Sequence, residues 1–386
     1  MDEQTARKTF KYKLKPTAEQ ERVLAFVLRR CRELYNAALQ ERHDAWLKCG
    51  VAITEAQQSA QLPAVKVVRP AYHDSHSQVV QDVLTRLDRA FQRFFARVKA
   101  GKKPGYPRFQ GINRYNSFTY KQFGNRATLD NGFLILSKIG RLAVRWSRPL
   151  EGTPTTVTVS READGWYVCF SCADVPTHPL AATDHETGID LGLEAFATLS
   201  DGTRIFSPGW YRQAERALKT AQRRVSRRKK GSNRRRKAVT LLAKAHQTVP
   251  RQRADFHHKT ALALVRENDT IYHEDVQTAN LVKNHHLAKS IQDAGWRAFL
   301  SILSAKAAGA GRRVIAVPPA YTSQRCSGCG IMVQKGLSVR WHACPDCVPG
   351  LRARTACPDC GTSLHRDQNA AMNRERLGQR LRGAVA

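Results

Sequence analysis

Along residues 8–15 (KTFKYKLK) apolar and basic side chains alternate, the period-two pattern of a strand with one buried face. Pro16 stops it, and Thr17-x-x-Gln20 is a capping-box signal for a helix start. Val23, Leu24, Val27, Leu28, Cys31, Leu34, Tyr35 and Ala38 then recur every three or four residues, which predicts a long amphipathic helix. A second helix is predicted from Val79, Val80, Val83, Leu84, Leu87, Ala90, Phe91, Phe94, Phe95 and Val98. Arg86, Arg89, Arg93 and Arg97 run beside that stripe, as either a solvated face or a ridge that tracks phosphates. Residues 101–109 (GKKPGYPRF) end the helical segment.

From 115 to 175 the pattern changes to short apolar runs: SFTYKQF, FLIL, LAVRW, TTVTVS and WYVCFSC. Asp130-Asn131-Gly132 and Ala163-Asp164-Gly165 supply turns, so this region is expected to be an antiparallel β module. The strand at 8–15 is expected to join it, leaving the helical segment as an insertion into a small barrel. Residues 176–187 (PTHPLAATDHET) read as a linker. Gly188-Ile189-Asp190-Leu191-Gly192-Leu193 and AFATLSDGTRIF then predict a strand, a turn at Asp201-Gly202 and another strand.

Composition changes the picture through charge. Lysine and arginine number 64 against 32 acids in 386 residues, a net charge of +32. Ordinary globular usage (42% hydrophobic, 25% charged) excludes wholesale disorder. The length calls for two or more packed units. There is no apolar run of transmembrane length, and Met1-Asp2-Glu3-Gln4 opens no secretory signal, so no membrane role is expected. Such a charge calls for a polyanion, nucleic acid above all. Residues 216–254 hold fifteen Lys/Arg and no acid, including Arg227, Arg228, Lys229 and Lys230. Lying between well-patterned segments, this run reads as a basic helical pair crossing a nucleic acid backbone.

Six of the ten cysteines form three C-x-x-C pairs: Cys326/Cys329, Cys344/Cys347 and Cys357/Cys360. Without a secretory signal this spacing reads as zinc rather than disulfide. Cys169 and Cys172 fall on opposite faces of a strand and, with Cys31 and Cys49, read as core.

Three acids stand out by their settings. Asp190 sits in an apolar strand between glycines, Glu274 ends the strand Thr270–Glu274, and Asp367 begins the last helix. An acid in a buried strand costs several kcal/mol unless it is paired or binds a cation, whereas a first-turn position would by itself satisfy Asp367. Converging, the three would make an oxygen-rich site suited to Mg²⁺, and two Mg²⁺ would clamp the attacking and leaving oxygens of a phosphodiester. Beside so basic a chain, nuclease is the leading class.

Together GIDLGLEAFATLSDG, the glutamate of IYHEDV, RRVSRRKKGSNRRRKA, TSQRCSGCG, GLSVRWHACPDC and CGTSLHRDQNAAMN resemble the TnpB family of transposon-encoded proteins, as does KYKLKPTAEQERVLAFVLRRCRELYNAAL. The likeness runs over essentially the whole chain, with the motifs in the family's order. It implies an RNA-guided DNA endonuclease related to the type V CRISPR effectors, of mixed α/β multidomain fold. A RuvC-like core of RNase H topology (183–322 and 364–386) would carry an inserted zinc finger (323–363). A wedge-like β-barrel module (1–16 and 111–182) and a helical recognition domain (17–110) would precede it. Asp190, Glu274 and Asp367 fall where the family's catalytic carboxylates fall, so the likeness implies Mg²⁺ there, a guide RNA from the transposon and double-stranded target DNA. A cytoplasmic, nucleoid-associated place in a prokaryote follows; protein partners do not.

The chain departs from the family in having a third C-x-x-C pair, with 348–360 resembling an insertion that repeats CPDC. One zinc needs four thiolates, so Cys326 and Cys329 are joined by either Cys344/Cys347 or Cys357/Cys360. Little chain follows Asn373, which should matter little for the carboxylates. Tyr72, Tyr106, Phe109, Tyr115, Phe118 and Tyr120 are mostly expected in the core, the remainder free to stack on bases. Arg325, just before the first knuckle, is a candidate contact to the scissile phosphate. The same acids would also serve a strand-joining transposase, and a non-cleaving RNA-guided repressor is a third reading that the intact trio disfavours.

Overall fold

The computed structural model describes residues 5–112, 114–336, 338–344 and 362–383. The chain divides after Pro176 into two compact units.

In the first unit, β1 (Thr5–Lys15) buries Phe10, Tyr12 and Leu14 and turns Lys11 and Lys13 the other way, where they meet Glu162 and Asp164. Thr17 caps α1 (Ala18–Cys49), and its capping box with Gln20 is complete. Two short helices, α2 (Glu55–Ala60) and α3 (Leu62–Val68), lead to α4 (Ser77–Lys99). Six strands follow: β2 (Ser117–Tyr120), β3 (Ala127–Asp130), β4 (Phe133–Leu136), β5 (Gly140–Arg145), β6 (Thr153–Glu162) and β7 (Gly165–Pro176). With β1 they form one antiparallel sheet in the order β2-β6-β7-β1-β5-β4-β3. Among the described residues its edge strands β2 and β3 do not pair, so the expected barrel is observed as a seven-stranded sheet. Leu24, Leu28, Leu84 and Leu87 of the helices share one core with Tyr12, Phe118, Val168 and Phe170 of the strands.

Two cysteines differ from expectation. The buried residues of α1 stop at Arg42, so Cys49, in its last turn, is exposed while Cys31 is core. On β7, Cys172 is buried, but Cys169 faces the other way, half-buried opposite Lys11.

The second unit holds β8 (Glu186–Asp190), β9 (Ala197–Leu199), β10 (Arg204–Ile205), α5 (Trp210–Ser226), α6 (Asn233–Glu267) and β11 (Thr270–Glu274). Next come α7 (Thr278–Leu281), α8 (His285–Ala294), α9 (Trp296–Gly309) and β12 (Arg313–Val317). A small antiparallel pair, β13 (Trp341–Ala343) and β14 (Ser363–His365), precedes α10 (Arg366–Gly383). The main sheet runs β10-β9-β8-β11-β12: the first three are antiparallel, and β11 is parallel to both β8 and β12. The segment expected as a linker is fastened to this unit. Thr183 and Asp184 donate backbone N–H groups to the Asp269 carboxylate, which also pairs with the buried Arg312. No described helix is long and apolar enough to cross a membrane.

Strand alternation assigns the two faces of this sheet. Ile189 and Ile271 point into a core with Phe196, Leu264, Phe299 and Leu303, supplied largely by α6 and α9. Gly188 and Tyr272 point to the opposite face, against α10. A Cβ on Gly188 would lie 1.9 Å from the Ala371 carbonyl oxygen, and one on Gly378 would lie 1.9 Å from the Tyr272 ring. Helix and sheet therefore touch closely at these two points, backbone on backbone at the first and backbone on ring at the second.

Gly378→Ala would normally favour a helix by about 1 kcal/mol. Here Gly188→Ala and Gly378→Ala should each lower stability by about 1–3 kcal/mol or more, through overpacking. Gly383→Ala, whose Cβ meets nothing within 4 Å, is the control and should be neutral in the same urea titration.

Candidate active site

Period two places Asp190 on the same face as Gly188, and Glu274 on the same face as Tyr272. Their strands are parallel and paired with His273 opposite Ile189, so both carboxylates stand side by side at the C-terminal ends. Helix α10 covers that face and carries Asp367 in its first turn, near enough to Asp190 for the two charges to act on each other. Arg374, seven residues later, is on the same side of the helix. Its Nη2 donates to Glu274 Oε2 at 2.6 Å, and its Nη1 donates to Asp190 Oδ1 and to the Ile189 carbonyl, the latter at 3.1 Å.

Burial dominates the electrostatics. It raises the pKa of Glu274, with Arg374 pulling the other way and Asp190 adding to the rise. It also raises that of Asp367, Asp190 reinforcing the shift while His365 and Arg340 oppose it. The backbone N–H of Asp367 donates to His365 Nδ1 at 3.3 Å, and that nitrogen lies 3.7 Å from Asp367 Oδ2. Glu194 completes a Glu194/His365/Asp367 cluster whose donor atoms lie within 4.8 Å, though Arg204 already pairs with it at 2.5 Å. Arg374 answers Asp190 and Glu274, while Asp367 has His365 as its neighbour and Arg340 farther off, so the acids outnumber the cations held against them. An oxygen-only donor set in that state fits a hard divalent cation.

Beside the acids, Cys326, Cys329 and Cys344 bring their sulfurs within 4.8 Å of one another, Cys329 and Cys344 being 3.4 Å apart. Cys347, Cys357 and Cys360 lie outside the described residues. Asn369 and Asn373 of α10 bind the knuckle: both donate to the Arg325 carbonyl at 2.7 Å, and Asn369 accepts from Ser327 N–H at 2.9 Å. Arg325 itself lines a cavity of about 330 Å³ with Tyr321, Arg376 and Arg380.

The other candidates divide. Arg86 is half-buried and held by Asp82 at 2.6 Å, the Ser117 carbonyl and Thr119 Oγ1, so it fastens α4 to β2 instead of standing on a free ridge. Arg89, Arg93 and Arg97 of the same helix are exposed. Arg227, Lys229 and Lys230 are exposed at the turn between α5 and α6, whereas Arg228 is half-buried. Tyr72, Tyr115, Phe118 and Tyr120 are core; Tyr106 and Phe109 are exposed. Sequence reasoning missed Arg374, Glu194 and His365. The signal for Arg374 was its place: two turns after Asp367, four residues before the buried Gly378, on the face that meets the sheet.

Family models match three stretches: a probable transposase (OrfB_IS605) over residues 157–285, a Cas12f1-like TNB domain over 296–374, and a helix-turn-helix domain over 1–50. Within the last stretch the described residues form a strand and one long helix. A Streptomyces pristinaespiralis protein named "Putative RNA-guided DNA endonuclease" is 38% identical over 379 residues, covering 96% of this chain and 89% of its own. The "Putative RNA-guided DNA endonuclease InsQ" of Escherichia coli K12 is 32% identical over 349 residues, 83% of each chain. Among solved structures, the Cas12f1–sgRNA–target DNA complex matches with a TM-score of 0.55 at 13% identity, over 96% of this chain and 99% of that one, a likeness of fold.

Proposed function

The chain belongs to the TnpB family, and from that premise we propose that it is the RNA-guided DNA endonuclease of a transposable element, with Asp190, Glu274 and Asp367 as its catalytic carboxylates. What supports this reading is that Asp190 and Glu274 end adjacent parallel strands and share Arg374 of α10, whose first turn carries Asp367 close enough to Asp190 for their charges to act on each other. The order of that sheet, a three-stranded meander joined to two parallel strands, supports a RuvC-like core of RNase H topology.

The three carboxylates would hold Mg²⁺, taken here as two ions. The metal supplies charge neutralisation at the attacking and leaving oxygens of the phosphodiester. The chain's own residues do the rest. Strand register and α10 fix the carboxylates, which stay partly open to solvent, as hydrolysis requires. Arg325, with Arg376 and Arg380 around the same cavity, offers cations for a phosphate of the strand being cut. The basic turn and helices of 216–254 grip backbone without reading bases. The guide, transcribed from the transposon, supplies sequence by base pairing, while the protein reads a short flanking motif. Arg89, Arg93 and Arg97 with Tyr106 and Phe109 of the first unit are suited to the guide–target duplex. A structural zinc belongs to Cys326, Cys329 and Cys344, with a fourth thiolate from the segment carrying Cys347, Cys357 and Cys360.

The protein purified with co-expressed RNA, after that RNA is sequenced, should cut matched DNA in Mg²⁺. Joined strands, or binding without cutting, would instead point to a transposase or a repressor. Ala at Asp190, Glu274 or Asp367 should abolish cutting with RNA and DNA binding nearly unchanged; near-normal cutting by a single variant removes that residue from the site.

Metal analysis should find about one zinc per chain, following the four-thiolate rule. Cys326→Ser and Cys344→Ser should both lose it and destabilise the second unit, because structural zinc contributes folding free energy. A well-folded preparation without zinc contradicts the assignment.

Reversing Arg227, Arg228, Lys229 and Lys230 to Glu should weaken binding of the co-purified RNA at every guide sequence. It should also shallow the salt dependence, by roughly 0.7–0.9 in log–log slope for each phosphate that is no longer neutralised. A slope equal to that of the wild type would mark these residues as a merely solvated face.

A further inference from the structure

We infer that Arg374 is a positioning residue that acts as a tethered cation. It fixes Asp190 and Glu274 before metal arrives, and it competes with a divalent ion for that pair. This rests on reading the three acids as the metal site.

Arg374 is 3% exposed, and its guanidinium divides between two carboxylates. A guanidinium out of water is tolerated when ionised partners satisfy its planar fork. Here the partners end adjacent parallel strands, where two unscreened carboxylates would push each other apart. Its position is not adjustable, because Gly188 and Gly378 seat the helix directly on the sheet around it. Its Nε is buried with no partner, so the side chain is held through the two Nη groups alone. The other buried arginine of the sheet edge, Arg312, pairs with Asp269 and fastens the 177–185 segment, away from the trio. The divalent ion and Arg374 therefore seek the same oxygens. The wild-type site keeps its shape without metal and binds metal more weakly than the three acids alone would.

The test compares full-length wild type, Arg374→Met and Arg374→Lys, freed of nucleic acid, by thermal unfolding in EDTA and in Mn²⁺ at matched ionic strength. In EDTA, Arg374→Met should unfold about 5–15 °C below wild type, with two half-buried carboxylates left unpaired, and Arg374→Lys should fall less. Mn²⁺ should raise the unfolding temperature of Arg374→Met more than that of wild type, because the ion replaces the missing charge. Titration of free Mn²⁺ by electron paramagnetic resonance should show binding to Arg374→Met at least about tenfold tighter. Equal metal-dependent rises in wild type and Arg374→Met, or an unchanged unfolding temperature in EDTA, overturn the inference. If Arg374→Met does not fold, Arg374→Met/Glu274→Gln removes one of the stranded carboxylates and should restore folding; a double variant no better than the single overturns it. A wild type that binds no Mn²⁺ at all is a different failure, that of the metal site itself.

Discussion

Helix α10 lies on β8 and β11 with nothing but backbone and one tyrosine ring between them at Gly188 and Gly378, and the candidate site follows from that closeness. The sheet contributes Asp190 and Glu274 as neighbours at its C-terminal edge. The helix contributes Asp367 in its first turn and Arg374 two turns on. The same helix holds the cysteine knuckle through Asn369 and Asn373. A larger residue at either glycine would lift the helix and separate Asp367 and Arg374 from Asp190 and Glu274. Burial is also what raises the pKa of Glu274 and Asp367, so packing and electrostatics at this site have one cause.

Much of this was legible in the sequence because it is local. Alternation along KTFKYKLK gave β1, and the box of Thr17 with Gln20 marked the start of α1. The apolar stripe from Val79 gave α4, although Phe95 and Val98 at its end are exposed. An acid ending each of two strands and another opening a helix could be picked out because each sits oddly in an apolar or capping context. What was not legible depends on tertiary partners. Arg86 has the spacing of a surface ridge, yet Asp82 and strand β2 claim it. Arg374 looks like any helical arginine until the sheet beneath it is known. Cys49 lies beyond the apolar stripe that holds Cys31 and was read as core on residue type alone, and the packed stretch of α1 ends before it.

One helix also joins the chain's two chemical needs. The first half of α6 is basic and largely exposed, while its second half buries His257, Thr260, Ala261, Leu264 and Val265 against the sheet. His257 donates through Nε2 to the Ala294 carbonyl at 2.9 Å, and burial lowers its pKa, so it serves as a neutral part of the packing. A basic, exposed surface is thus continuous with the core behind the carboxylates. A load on the basic end is borne by the layer that supports the sheet.

The order of the site's parts along the chain has a consequence for its making. Asp190 and Asp367 are 367 − 190 = 177 residues apart, and Arg374 comes later still. At 5–20 residues per second a ribosome needs roughly 10–35 s to travel between them. Once β11 has been made, 84 residues after Asp190 (274 − 190), β8 can pair with it, but the face that α10 covers stays open, with Gly188 and Tyr272 bare and two like charges without their arginine. The nascent nuclease therefore has no complete site, and the sheet face that α10 covers is a surface that a chaperone would have to shelter until that helix docks.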